Sequence, residues 1–171
     1  MELHVTLCSK KDLDTLVQLG KRTFIEAFKE KNNPDDFNEY LETAFNREVY
    51  SRELEERLTS YFFIYKSAVI VGYFKVNQGE SQTDIKDDNA MELERIYVLR
   101  KFQGLGIGKW ILNQVMEMAR AKNKRYLWLG VWEYNGKAIE FYLRHGFVKF
   151  GTHPYYIGKD KQTDWLMKCE L

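Results

Sequence analysis

Residues 3 to 7 alternate, with Leu3, Val5 and Leu7 on one face, which predicts a short strand. The period then lengthens. Ser9 and Asp12 form a capping pair with Asp where Glu or Gln is more usual, and Leu13, Leu16, Val17, Phe24, Ala27 and Phe28 follow at helical spacing toward a core. Asn33-Pro34 opens a second helix, with Asn as the cap, Pro in the first turn, and Tyr40, Leu41 and Phe45 behind them. A third helical stretch, 47 to 58, is charged outside and thinly apolar within.

From residue 61 the period drops to two. Residues 61–66 and 68–76 are rich in aromatic and β-branched side chains and meet at the polar Lys66-Ser67, which predicts an antiparallel hairpin. The polar segment 79–89 is expected to be a mobile loop. Beyond it the pattern predicts a strand (91–99), a helix (106–122), a strand (126–132), a helix (135–145) closed by Gly146, and strands at 147–157 and 165–171. This order contains one β-α-β crossover inside a mixed sheet. No repeat or linker interrupts it, so residues 1–171 are read as a single α/β domain.

Composition narrows the function classes. A chain that is 44% hydrophobic and 15% aromatic can fill a core. Lys plus Arg (26) nearly balance Asp plus Glu (25), and no helix-turn-helix signal is present, which argues against direct nucleic-acid binding. Two cysteines near opposite ends and three dispersed histidines do not make a metal site. No stretch of 18 apolar residues and no leader pattern occurs, so no membrane association and a reduced, cytoplasmic setting are expected.

The most informative segment is Gln103-Gly104-Leu105-Gly106-Ile107-Gly108, between a strand and a helix whose apolar stripe is Ile107, Ile111, Val115 and Met118. Alternate glycines open the backbone to a ligand, and amide N–H groups converge there with the positive end of the helix dipole. Lys109 adds charge, and Gln103 can donate a hydrogen bond. The loop lacks the Gly-Lys-Ser/Thr ending of a triphosphate loop and comes too late for the first turn of a dinucleotide domain. A glycine-rich turn serving only tight packing is the competing reading. After the next strand, Asn135 sits at a cap position and Tyr142 follows two helical turns later on the same face.

Together, strand-Gln-x-x-Gly-x-Gly-helix and the run Asn135, Ala138, Phe141, Tyr142, Gly146, Phe147 resemble the two acetyl-CoA motifs of the GNAT superfamily of N-acetyltransferases. The resemblance implies a mixed, mostly antiparallel sheet of six to seven strands flanked by about four helices, with acetyl-CoA as cosubstrate. It implies pantetheine alongside Ile96, Tyr97 and Val98, and pyrophosphate in the loop of Gln103, Gly104, Leu105, Gly106, Ile107, Gly108 and Lys109. It further implies Asn135 and Ala138 beside the pantetheine, and Tyr142 as the acid that protonates the departing thiolate. Leu99-Arg100-Lys101 stands where many members have Pro.

An ammonium acceptor must lose a proton before it attacks, which calls for a base. Glu92 and Glu94 lie on the strand before the loop, and strict alternation puts both on the face of Ile96 and Val98. By resemblance, Glu92 falls where histone-acetylating members carry their base, with Glu94 as second choice. His153 is a weaker site candidate, and Cys169 is read as core. The runs Phe62-Phe63-Ile64-Tyr65, Leu93-Glu94-Arg95-Ile96-Tyr97, Trp128 to Glu133 and Gln162-Thr163-Asp164 are similar to bacterial spermidine/spermine N-acetyltransferases linked to control of protease production and sporulation. That likeness implies a polyamine acceptor, and many relatives are dimers. Glu26, Glu30, Asp35, Asp36, Glu39 and Glu133 are the carboxylates that could hold a polycation. Acetylation of other small amines or protein N-termini, or acetyl-CoA binding without catalysis, are the alternatives.

Overall fold

Side-chain caps set the helix starts, Ser9/Asp12 and Asn33 as read from the sequence and Asn46 in addition. In the computed structural model, which describes residues 2–171, Asn33 accepts bonds from the amides of Asp35 and Asp36 at 3.0 and 3.3 Å and Asn46 from that of Val49 at 2.9 Å. Asp12 reaches back to the Ser9 amide at 2.9 Å, closing a single 3-10 turn before the α-helix proper begins. The elements are β1 (Leu3–Leu7), α1 (Leu13–Phe28), α2 (Pro34–Ala44), α3 (Arg47–Glu55), β2 (Thr59–Lys66), β3 (Val69–Gln78), β4 (Ala90–Val98), α4 (Ile107–Ala121), β5 (Tyr126–Trp132), α5 (Gly136–Arg144), β6 (Val148–Ile157) and β7 (Asp160–Glu170). Among the described residues there are five α-helices, as the periodicity predicts and one more than the four or so implied by the resemblance. α3 stops at Glu55 rather than 58, and β7 begins at Asp160 rather than 165.

The sheet runs β1-β2-β3-β4-β5-β7-β6. Only β4 and β5 are parallel, joined through α4 as the crossover pattern requires. α4 and α5 cover one face through Ile111, Leu112, Val115 and Ile139, which meet Phe74, Leu93 and Leu129 of the sheet. α1 to α3 cover the other, where Phe24, Phe37, Phe45 and Tyr50 meet Tyr61, Phe63 and Tyr73. Of the residues assigned to the α1 core face, Ala27 is exposed instead and turns toward the cleft described below.

The segment 79–89 is pinned, contrary to the mobile loop expected of it. Gln82, 2% exposed, accepts a bond from the indole N–H of Trp128 at 2.7 Å and donates to the carbonyls of Gly79 and Asp87. Polar composition alone could not reveal a partner 46 residues away. We expect Gln82→Ala to leave that indole N–H buried and unpaired, costing about 1–3 kcal/mol. Melting should fall by roughly 2–4 °C per kcal/mol, and proteases should begin to cut within 79–89. Unchanged melting and resistance would restore the mobile-loop reading.

Candidate active site

A bulge in β4 shapes the site. Lys75 pairs with Arg95 and Val76 with Leu93, so Glu94 is an extra residue without a partner on β3. The bulge reverses side-chain parity. Met91 and Leu93 share the α4/α5 face with Ile96 and Val98, whereas Glu92, Glu94 and Tyr97 turn to the α1–α3 side. The expectation that strict alternation puts the two glutamates with Ile96 and Val98 is therefore corrected. On its other edge, β4 pairs with β5 only from Ala90 to Glu92, and beyond that point the strands part. A cleft of about 1030 Å³ enters there.

The glycine loop forms one end of the cleft. Gly104 and Gly106 have φ of +77° and +78°, a left-handed conformation that costs other residues about 1–2 kcal/mol. Side chains added at either would meet nothing within 4 Å, so the loop's surface is open. Among the described residues, the amides of Gly104 to Lys109 donate to no protein group. This cradle fits an anionic phosphate chain. Lys109, Lys137 and Arg144 line the same end. Gln103 donates from its side chain to the Val98 carbonyl at 3.0 Å, fastening the loop to β4. Leu105 is 49% exposed and is the one predicted cofactor residue outside the cleft lining.

α5 forms the adjoining wall. The Asn135 side-chain carbonyl accepts from the Ala138 amide at 3.3 Å, so it is a cap whose amide N–H groups stay free. Tyr142 packs its ring in the core beside Phe147, and its hydroxyl donates to no described residue. Burial pushes the phenol up, so it remains protonated and can act as a proton donor.

The middle of the cleft carries buried charge. Lys75, its side chain only 5% exposed, pairs with Glu53 at 3.1 Å and Glu94 at 2.5 Å. Asn77 donates to Glu92 at 2.9 Å and Glu94 at 2.8 Å, and Thr83 gives Glu92 its amide (2.9 Å) and hydroxyl (2.5 Å). Desolvation and the charge of Glu94 raise the Glu92 carboxyl above its ordinary value, outweighing the donors. For Glu94 desolvation acts in the same direction, but Lys75 and Arg95 overcome it and hold that carboxyl low. Glu92 is thus the better proton acceptor of the two.

At the far end are groups the sequence reading did not single out as catalytic or binding residues. Asp164 on β7 lines the cleft, as do Gly130 and Arg95. His153, the weaker candidate, lies across from Asp164 on β6 and is bonded to Asp84 at 3.1 Å. Of the acidic residues assigned to a polycation, Glu26 and Glu30 line the cleft, whereas Asp35, Asp36, Glu39 and Glu133 do not. Asp36 instead accepts from the Lys159 amide. Cys169 lies outside the cleft lining. No group of three or more metal-binding side chains occurs among the described residues.

Residues 18–147 match the Acetyltransferase (GNAT) family, and the chain belongs to it. An uncharacterised N-acetyltransferase from the pepI 3′ region of Lactobacillus delbrueckii subsp. lactis is 34% identical over 99% of this chain and 98% of its own. One of Mycobacterium tuberculosis is 26% identical over 94% and 98%. Among solved structures, the PaiA N-acetyltransferase of Thermoplasma acidophilum in complex with coenzyme A superposes with a TM-score of 0.79 over all of both chains, at 16% identity. A spermidine N-acetyltransferase chimera from Vibrio cholerae and hSSAT gives 0.72 over 99% of this chain and 96% of its own, at 17%. The protein is an N-acetyltransferase, and acetyl-CoA is its cosubstrate.

The buried triad at the centre generates a stability prediction. Lys75→Met leaves Glu53 and Glu94 without their shared cation. Breaking a buried pair costs about 3–5 kcal/mol, and both carboxylates keep about a fifth of their surface, which argues for about 3 kcal/mol. Denaturant unfolding measures this, and a loss below about 1 kcal/mol would mean the carboxylates are solvated rather than held by Lys75.

Proposed function

We propose that this enzyme acetylates a primary amine of a polyamine such as spermidine or spermine, by direct attack within a ternary complex. The observation that carries the reading is the sorting of charge along one cleft. Lys109, Lys137 and Arg144 belong to the glycine-loop and α5 walls, while Asp84, Glu92, Glu94 and Asp164 outnumber Lys31 and Arg95 on the remaining lining, and Glu26 and Glu30 add to them beside Arg100. An anionic cosubstrate and a cationic acceptor each find their complement. The spermidine acetyltransferase chimera, a relative by fold, acts on such an acceptor and supports the same direction.

Acetyl-CoA supplies the thioester. Amides 104–109 and the Asn135 side chain hold its phosphate and pantetheine parts, and the open edge of β4 at Ile96 to Val98 offers strand-like hydrogen bonds. A lysine-like amine has a pKa of about 10.4, so making it neutral near pH 7 costs about 4.6 kcal/mol, and Glu92 draws off that proton. Tyr142 hands a proton to the departing sulfur. Arg95, part-exposed on the cleft wall and lying 5.5 Å from the Phe45 ring, favours a second reading in which the acceptor also carries a carboxylate.

Two measurements test the proposal. Gly106→Asp should abolish acetyl-CoA binding in a folded protein, whereas Gly106→Ala, strained but uncharged, should lose about tenfold or less. Wild-type affinity in the Asp variant would remove the loop from the coenzyme site.

The acceptor is tested by comparing kcat/KM for spermidine, a simple alkylamine and an amino acid. Each distal ammonium held by a half-buried carboxylate should contribute about 1.5–3 kcal/mol, or more than tenfold selectivity. If only exposed carboxylates contribute, the gain shrinks to about 0–1 kcal/mol and fades with salt. Equal efficiencies would sink the polyamine assignment, and preference for the amino acid would move recognition to Arg95.

A further inference from the structure

Asp164 is the one partly buried carboxylate of the cleft that nothing in the fold employs, since Glu30, also without a partner, is exposed and Glu26 is bonded to Arg22 and Arg100. Glu92 accepts three protein hydrogen bonds, Glu94 is tied to Lys75 and Asn77, and Asp84 is bonded to His153. No described residue donates to Asp164, although it is partly buried. Gly130 leaves room for it. One carboxylate oxygen lies 3.4 Å from where a Cβ at residue 130 would stand, beyond the point at which β5 parts from β4. The carboxylate therefore sits beside the gap between the strands.

A half-buried carboxylate without a partner costs stability, and such a cost marks a group kept for chemistry. Burial pushes Asp164 up to about 6, only partly offset by His153. Few other charges face it. His153, bonded to Asp84, stands opposite on β6, β5 offers the uncharged Gly130 and Trp132, Lys31 lies over the Trp132 ring at 5.8 Å, and Tyr155 and Glu92 line the same cleft.

We propose that Asp164 receives the acceptor's ammonium group and takes its proton. This rests on the acetyltransferase reading of the same cleft. It deepens that reading by moving Glu92, whose oxygens are occupied, to a second acceptor that acts through Thr83 or water. The ammonium gives one proton to the Asp164 carboxylate, and the freed lone pair forms the C–N bond as the C–S bond breaks. The remaining surplus proton on nitrogen balances the thiolate by way of Tyr142, and Asp164 returns its proton to water.

The test compares wild type with Asp164→Asn, Asp164→Glu and Glu92→Gln, using spermidine and saturating acetyl-CoA. In wild type, log kcat/KM should fall below about pH 6, the value of Asp164. Asp164→Asn should lose about a hundredfold at pH 7, no longer bend near pH 6, and climb tenfold per pH unit as neutral amine becomes available. Asp164→Glu should recover part of the loss, and Glu92→Gln should keep the bend. A wild-type profile in Asp164→Asn, or an equal loss at every pH, would overturn the assignment. So would loss of the bend in Glu92→Gln alone.

A second readout needs no turnover. The folded value of Asp164 lies above its ordinary 3.8, so the native state loses stability as pH rises through about 4 to 6. The Asn variant escapes that loss. It should melt higher than wild type, with a gap that opens across this window and stays level above it. No gap would mean that the carboxylate has a partner, and the proposal would fall. A wild type that acetylates no amine would instead overturn the function on which it rests.

Discussion

The β4–β5 ladder covers three residues on each strand, and the cleft depends on that limit. Parallel strands are ordinarily held together along their length by evenly spaced hydrogen bonds. Here the extra residue at Glu94 bends β4 and increases its twist, so its later half turns away from β5. The separation leaves backbone polar groups open on the edge of β4 between two packed faces. Such groups are costly unless something pairs with them, so an extended amide-bearing ligand suits the gap. The same bulge delivers Glu92 and Glu94 to the α1–α3 side while Ile96 and Val98 stay on the α4/α5 side. One inserted residue thus puts the two glutamates on the opposite side of the sheet from Ile96 and Val98.

Charge along the cleft follows from the elements that border it. The glycine loop and α4 bring an uncapped helix start and Lys109, which favour an anion. β4, β7 and the segment before β4 bring carboxylates. Lys75 compensates Glu94 from β3, and Asn77 and Thr83 divide the remaining donors so that Glu92 and Glu94 differ in proton affinity although they are two residues apart. Environment, more than residue type, separates their chemistry.

Much of this was legible in the chain. The glycine loop, the Asn135 cap and Tyr142 are local features: residues within about ten positions determine their geometry, and the structure brings them to one cleft. The bulge was not legible, because Glu92 and Glu94 occupy alternate positions whether or not the strand is regular. Only the cross-strand pairs with Lys75 and Val76 reveal the slip. Asp164 was missed as a proton acceptor for a related reason. The strand was expected to start at residue 165, where apolar residues begin, yet β7 starts at Asp160 because its polar first half is held by pairing with β6. Gln82 could not be read for want of any local sign of Trp128.

Attraction and deprotonation work against each other at an acidic acceptor site. A fixed carboxylate that steadies an ammonium also raises the amine's pKa by the equivalent amount, and so makes the reactive neutral form scarcer. More carboxylates would tighten binding and slow attack. A carboxylate that itself takes the proton avoids the conflict, because an ion pair becomes two neutral partners, which a poorly solvated cleft tolerates better than charges. The gap from an amine near 10.4 to an ordinary Asp near 3.8 exceeds six units, whereas to Asp164 at about 6 it is roughly four. The same desolvation that makes an unpartnered aspartate a burden on the fold therefore brings it closer to the task of a base. Glu94, paired with Lys75, keeps its charge, so it can help draw the cation in without competing for its proton.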